Sequence, residues 1–162
     1  MSVLNDKSTA LIEYLNQCES IRDSALYFNF ANIADNNKQF VTVSNDVAIE
    51  RPYVDGSVMK RYTFTIIDYK TVNYMPIVAE TGYTDENLED FVDASELIDW
   101  ITEQNEAHNY PDFGETCQVD SIRATSEIPN LNGVDTSIQP PLAKYSITII
   151  VEYLDKSKMI WN

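Results

Sequence analysis

Glycine is scarce in this chain, with 4 in 162 residues. Phosphate-cradling loops and dinucleotide-binding turns are built on glycines, so those nucleotide-handling classes have little to work with. Cysteine is scarcer still. Cys18 and Cys117 form no C-x-x-C, which points to free thiols in a reducing cytosol rather than a disulfide framework. With one histidine, His108, they cannot complete a structural zinc site. No apolar run approaches the ~20 residues of a membrane span, and Met1 to Ala10 carries no apolar signal region, so neither membrane nor secretory leader is expected. Cations are missing from one long stretch. Between Lys70 and Arg123 there is no Lys or Arg, yet that interval holds 13 of the 26 acidic residues. At a formal net charge of −15 the chain should repel nucleic acid, because DNA binding runs on neutralisation of phosphates by cations. No sequence-specific nucleic-acid binding is expected.

What is present suits a globular domain. The length fits one domain, 1–162, and the wide apolar fraction is 44%, with 10 Tyr and 6 Phe. Apolar spacing predicts a helix over 3–20, through Leu4, Leu11, Ile12 and Leu15. Residues 25–33 alternate as a strand, 35–38 form a turn cluster, and 39–44 read as a strand, with another at 47–51 before Pro52. Asp55-Gly56-Ser57 is a turn leading into a strand over 59–69, with Tyr62, Phe64 and Ile66 on one face. Residues 70–84 are less regular, punctuated by Pro76 and Gly82. A second helix is predicted over 85–107 through Leu88, Phe91, Val92, Ile98 and Ile101. Asp93 with Glu96 resembles a capping box, which leaves a start at Ala94 open. Strands follow over 116–125 and 143–154. Between them 127–141, rich in Asn, Gly and Pro, reads as an exposed arm or long hairpin loop. This order predicts an α+β domain: a mainly antiparallel sheet of about five to six strands, with two main helices on one face.

No chemical constellation stands out. H-N-Y-P-D, 108–112, has the His-x-x-x-Asp spacing of some general bases, but it sits at a helix end with no nucleophile motif, and an exposed helix-end histidine is the plainer reading. D-F-G, 112–114, lacks every other part of a phosphoryl-transfer site. The carboxylates of Asp85, Glu86, Glu89, Asp90, Asp93, Glu96, Asp99, Glu103 and Glu106 have no calcium-loop spacing, so no metal or other cofactor is expected. They read either as a solvated helix face that keeps the chain soluble or as a surface that DNA slides past. Trp100 reads as core or as an interface contact. No catalytic role is expected.

Four stretches carry a resemblance: R-P-Y-V-D-G-S-V-M-K-R-Y-T-F-T-I (51–66), L-I-D-W-I-T-E-Q-N (97–105), N-Y-P-D-F-G (109–114) and L-A-K-Y-S-I-T-I-I-V-E-Y-L (142–154). In order and spacing they resemble a family of small virion proteins of long-tailed phages and prophages of Gram-positive bacteria, labelled minor capsid, tail completion or tail terminator proteins. The matching positions are Tyr53, Asp55, Gly56, Tyr62 and Phe64, then Trp100, Gln104, Asn105 and Pro111, then Tyr145. The resemblance spans roughly 25–155 and brings no residue-level functional site with it. It implies an α+β protein that forms a ring, usually a hexamer, on the last ring of the tail tube. Such a ring stops tube polymerisation and offers a surface for joining to the head. The implied partners are further copies of itself, the tail tube protein and a head-completion or connector protein. The implied location is the virion, at the tail or head–tail junction, after assembly in the host bacterial cytoplasm. On this expectation the acidic run lines or borders the lumen through which DNA passes, and Ile128, Leu131, Val134 and Ile138 of the arm contribute to subunit contacts. Another head–tail connector or minor capsid component, or an acidic DNA mimic that inhibits a nuclease, are the other readings.

Overall fold

A computed structural model describes residues 3–29, 34–72 and 86–160. Alternating apolar side chains build the two longest strands, β3 (Val58–Thr71) and β6 (Leu142–Asp155), which pair antiparallel in unbroken register. Tyr62 faces Val151, Phe64 faces Ile149 and Ile66 faces Ile147. All six are 2% exposed or less, and opposed pairs of this kind are the unit of sheet stability. Phe40 of β2 (Lys38–Ala48) stacks on Phe64 with ring centroids 4.6 Å apart. Outside β2 lies the short β1 (Leu26–Phe28); beyond β6 lie β4 (Cys117–Ala124) and β5 (Asn130–Asp135). The sheet order is β1-β2-β3-β6-β4, with β5 also paired to β6.

The architecture is α+β, as expected, but the sheet is mixed: β1 runs parallel to β2, whereas the other pairings are antiparallel. Beside the two main helices expected, the described residues hold a third of only four residues. The expected first helix breaks after α1 (Val3–Leu15), and α2 (Glu19–Arg22) begins anew with Cys18 as its N-cap. α3 runs unbroken over Glu86–Glu106, so Ala94 is not its start. The two expected strands at 39–44 and 47–51 are the single strand β2. Register shifts at Thr42/Ser44 and Ser44/Val47 move side chains between faces, and that interrupts the alternation a sequence reading depends on. Phe30 to Ile33, and the irregular stretch with Pro76 and Gly82, lie outside the described residues.

The core occupies one face of the sheet. Leu11 and Leu15 from α1, Ile21 from α2, and Leu97 and Ile101 from α3 are all buried against it. Two polar groups of α1 are buried with them: Ser8 Oγ lies 2.8 Å from Tyr62 Oη, and Lys7 Nζ donates to Tyr153 Oη at 3.1 Å. Both apolar helix stripes therefore dock on the same aromatic-rich surface, which leaves the outer faces of α3 and the β2–β3 connection free to carry function.

Candidate functional site

The Y-x-D-G-S residues form a locked turn at the end of the β2–β3 hairpin. Asp55 Oδ1 accepts from Ser57 N at 2.9 Å and from Ser57 Oγ at 2.6 Å, which lowers the Asp55 carboxyl below its ordinary range. Tyr53 N donates to Ser57 O, and Gly56 N donates to Tyr53 O. Gly56 has φ +89°, and a Cβ there would lie 2.3 Å from Lys158 O. Only glycine meets both demands. The chain after β6 clips onto this turn, with Ile160 N donating to Asp55 O at 2.7 Å. Tyr53 and Val54 project outward.

The W-I-x-E-Q-N residues close α3. His108 adopts φ +55°, and Asn109 N donates to Gln104 O at 2.9 Å, a left-handed helix ending. Gln104 Oε1 accepts from Asn109 Nδ2. Asn105 Oδ1 accepts from Ile122 N at 3.1 Å and so ties the helix to the edge strand β4. Trp100 is half-buried, its ring 5.0 Å from that of Tyr14, whose hydroxyl donates to Asn109 O. Pro111 is buried. Tyr145 packs with Ala143 and Ala94, edge-on to Phe91. These motif residues hold turns and packing. None of them gathers around a reactive centre. His108 is exposed, with Nδ1 2.9 Å from Tyr110 Oη, and Asp112 accepts from Gly114 N in a local turn.

The acidic run divides along α3. Asp85 lies outside the described residues, and Glu86 and Glu89 belong to the first turn of the helix. Asp90 is partly buried, and that burial raises its pKa to about 6 against the pull of Lys70. Asp93 and Glu96 border a polar cavity of about 160 Å³ shared with Asn36, Lys38 and Lys70. Nearby, Asp68 is 1% exposed, with Lys38 Nζ at 3.6 Å and Lys70 Nζ at 3.9 Å and no hydrogen bond to either oxygen. Burial raises the Asp68 carboxyl and lowers the Lys38 ammonium. Further along, Asp99, Glu103 and Glu106 are exposed and have no ion-pair partner among the described residues. Val92, expected on the apolar stripe, is 54% exposed among them.

The arm is more ordered than a loop. Its residues Asn130–Asp135 form β5, which continues the edge begun by β4 and pairs with β6. Ile128, Leu131 and Val134 are 57%, 59% and 42% exposed, while Ile138 is half-buried. A second cavity, about 460 Å³, opens between α3 and the end of β4; sequence reasoning missed it, because it depends on how a helix and an edge strand diverge. Among the described residues no cluster of three or more His, Cys, Asp or Glu side chains could hold a metal, and no helix is long and apolar enough to cross a membrane. No protein-family model matches this chain, and no curated protein matches it.

Proposed function

We propose that this chain is a phage tail terminator: a structural protein, not an enzyme, that assembles into a ring, caps the tail tube and joins it to the head. The reading rests on the resemblance of the four stretches, taken in order, to that family. The observation that carries it furthest is the bare acidic stripe of Asp99, Glu103 and Glu106 on the outer face of α3. A ring through which DNA moves needs a lumen that does not bind phosphate, and an unneutralised carboxylate stripe supplies that repulsion. Exposed apolar positions on β5 and the β2–β3 hairpin provide surface for joining copies. In this reading the neighbours are the tail tube protein and a head-completion or connector protein, and the protein resides in the virion at the tail or the head–tail junction.

The test is the solution mass over a concentration series, with negative-stain imaging of the largest species and sedimentation with purified tail tubes. Closed rings with a hole of DNA width that bind tube ends are the expected result. Rings that bind head connectors but not tubes would favour another connector role. A monomer that ignores tubes but binds a nuclease would favour the DNA mimic. Within the ring reading, Glu103→Lys with Glu106→Lys should impair DNA passage and infectivity; unchanged infectivity would remove the acidic stripe from the lumen.

A further inference from the structure

An edge strand leaves one row of main-chain groups unpaired, and folded proteins usually cover that row. β4 pairs with β6 on one side alone. Much of its other side is covered. Cys117 N donates to Gly114 O, a register shift follows between Val119 and Ser121, and Asn105 Oδ1 accepts from Ile122 N at 3.1 Å. The cover stops there. Thr125 N donates to Thr148 O of β6, whereas Ile122 N turns the other way. Strand alternation therefore turns the N–H and C=O of Ala124 away from β6 as well. Neither group has a hydrogen-bond partner among the described residues. The cavity of about 460 Å³ opens at this point, walled by α3 from Ile98 to Asn105. Its lining is mostly polar, with Ile98 and Ile122 buried beneath it. The charges around it are acidic. Asp99 and Glu127 are exposed at the groove, and no Lys or Arg occurs between Lys70 and Arg123. Arg123 borders the groove, but it alternates with Ile122 and so projects to the sheet's other face. There its guanidinium lies 3.6 Å from a Glu152 oxygen that Arg61 also approaches, at 3.2 Å.

We propose that this open stretch of β4 binds an extended, cationic peptide segment of another protein, which adds a strand to the sheet in the groove beside α3. Unpaired N–H and C=O groups on one edge select an extended main chain, which returns both bonds. From Ile122 to Glu127 the edge runs about 17 Å, room for about five residues of such a segment. Asn105 marks one end, because it already holds the Ile122 N–H. The exposed carboxylates of Asp99 and Glu127 select Lys or Arg in the segment. The chain's own edges do not supply it. β1 and β5 contain no cation, and two copies joined β4 to β4 would bring their acidic rims together. The proposal goes beyond the ring reading and does not depend on it.

The test is titration of the isotope-labelled full chain with a short peptide alternating Lys with Val, read by amide chemical shifts and hydrogen exchange. Saturable binding is expected, with shifts confined to 122–127 and the facing turns of α3, and with the Ala124 amide gaining protection. The same peptide N-methylated along its main chain should bind at least tenfold more weakly, and so should its counterpart with Glu in place of Lys. Ala124→Pro removes the outward N–H and no ladder bond, a substitution that edge strands accept; it should abolish binding with little change in melting. Asp99→Lys with Glu127→Lys, at exposed positions, should weaken binding at least tenfold and keeps the test decisive if Ala124→Pro fails to fold. No binding of the Lys–Val peptide, equal binding of its N-methylated or Glu forms, or shifts centred on β1 or β5 would overturn the proposal. So would self-association that Ala124→Pro abolishes, since the edge would then belong to a second copy. A chain that binds the peptide but forms no rings and ignores tube ends would sink the ring reading and leave this contact standing. Rings on tube ends that ignore the peptide would do the reverse.

Discussion

The two halves of α3 carry the same residue type beside different neighbours. In the N-terminal half, Asp90 is partly buried, and Asp93 and Glu96, themselves exposed, border the polar cavity shared with Lys38 and Lys70. In the C-terminal half, Asp99, Glu103 and Glu106 face solvent with no cation in the last turn. Carboxylates at a helix C-terminus oppose the helix dipole. Asp90 therefore belongs to the fold's internal electrostatics. Glu103 and Glu106 work against the helix that bears them, so stability does not explain their presence. A run of acids that reads as one feature in sequence is two features in space.

The largest effect should come from the buried end. Asp68 is the counter-charge for Lys38 and Lys70, which are 3% and 6% exposed. Asp68→Ala leaves two buried ammonium groups facing each other without it, a loss of about 3–5 kcal/mol. Chemical denaturation would show it as a lower midpoint. A loss below ~1 kcal/mol would mean that water already compensates these charges, and the contrast between the two halves would fade.

A smaller effect, with a definite sign, concerns Asp90. Its folded pKa of about 6 lies above the ordinary 3.8, so between those values the folded chain holds the proton that the unfolded chain releases. On account of this group, stability should fall as pH rises from 4 through 6, and the cost should be fully present above 6. Asp90→Asn should remove that part of the pH dependence and raise stability at pH 7.5 by about 1 kcal/mol or less, since solvent screens a partly exposed group. A variant whose pH profile parallels the parent would show that Lys70 already compensates Asp90.

Much of this fold was legible in the sequence, for physical reasons that also explain what was not. Tyr62, Phe64 and Ile66, like Tyr145, Ile147, Ile149, Val151 and Tyr153, alternate because each strand buries one face, and that period survives in the letters. β2 reads as two strands because its bulges break the period. The β5 stretch reads as a loop because Asn130, Asn132 and Gly133 are poor strand formers, and it becomes a strand where β6 offers a free edge. The parallel pairing of β1 and the bond from Asn105 to Ile122 join residues that no local pattern links. The motif residues were visible as a resemblance, but their work in fixing turns and helix ends emerged only from geometry. The locked turn is visible in the letters and the groove beside β4 is not, because a turn is local and a groove is not.

The smallest expected effect bears most directly on function. Glu103 and Glu106 lie in the last turn of α3, exposed and without ion-pair partners among the described residues. Neutralising both, Glu103→Gln with Glu106→Gln, removes an unfavourable interaction with the helix dipole and some repulsion along the stripe. At these exposed positions the gain should lie at the low end for such interactions, about 0.3 kcal/mol for each at low salt, shrinking as salt rises. Calorimetry at two ionic strengths would measure it. Asp90→Asn should gain through relief of burial and so should respond weakly to salt; this pair should respond strongly. A pair of substitutions that destabilises the chain would place these carboxylates among the groups holding the fold and withdraw the argument for a role beyond it. A stabilised chain that loses activity in tail assembly would establish that the stripe is retained at a cost to the helix that carries it.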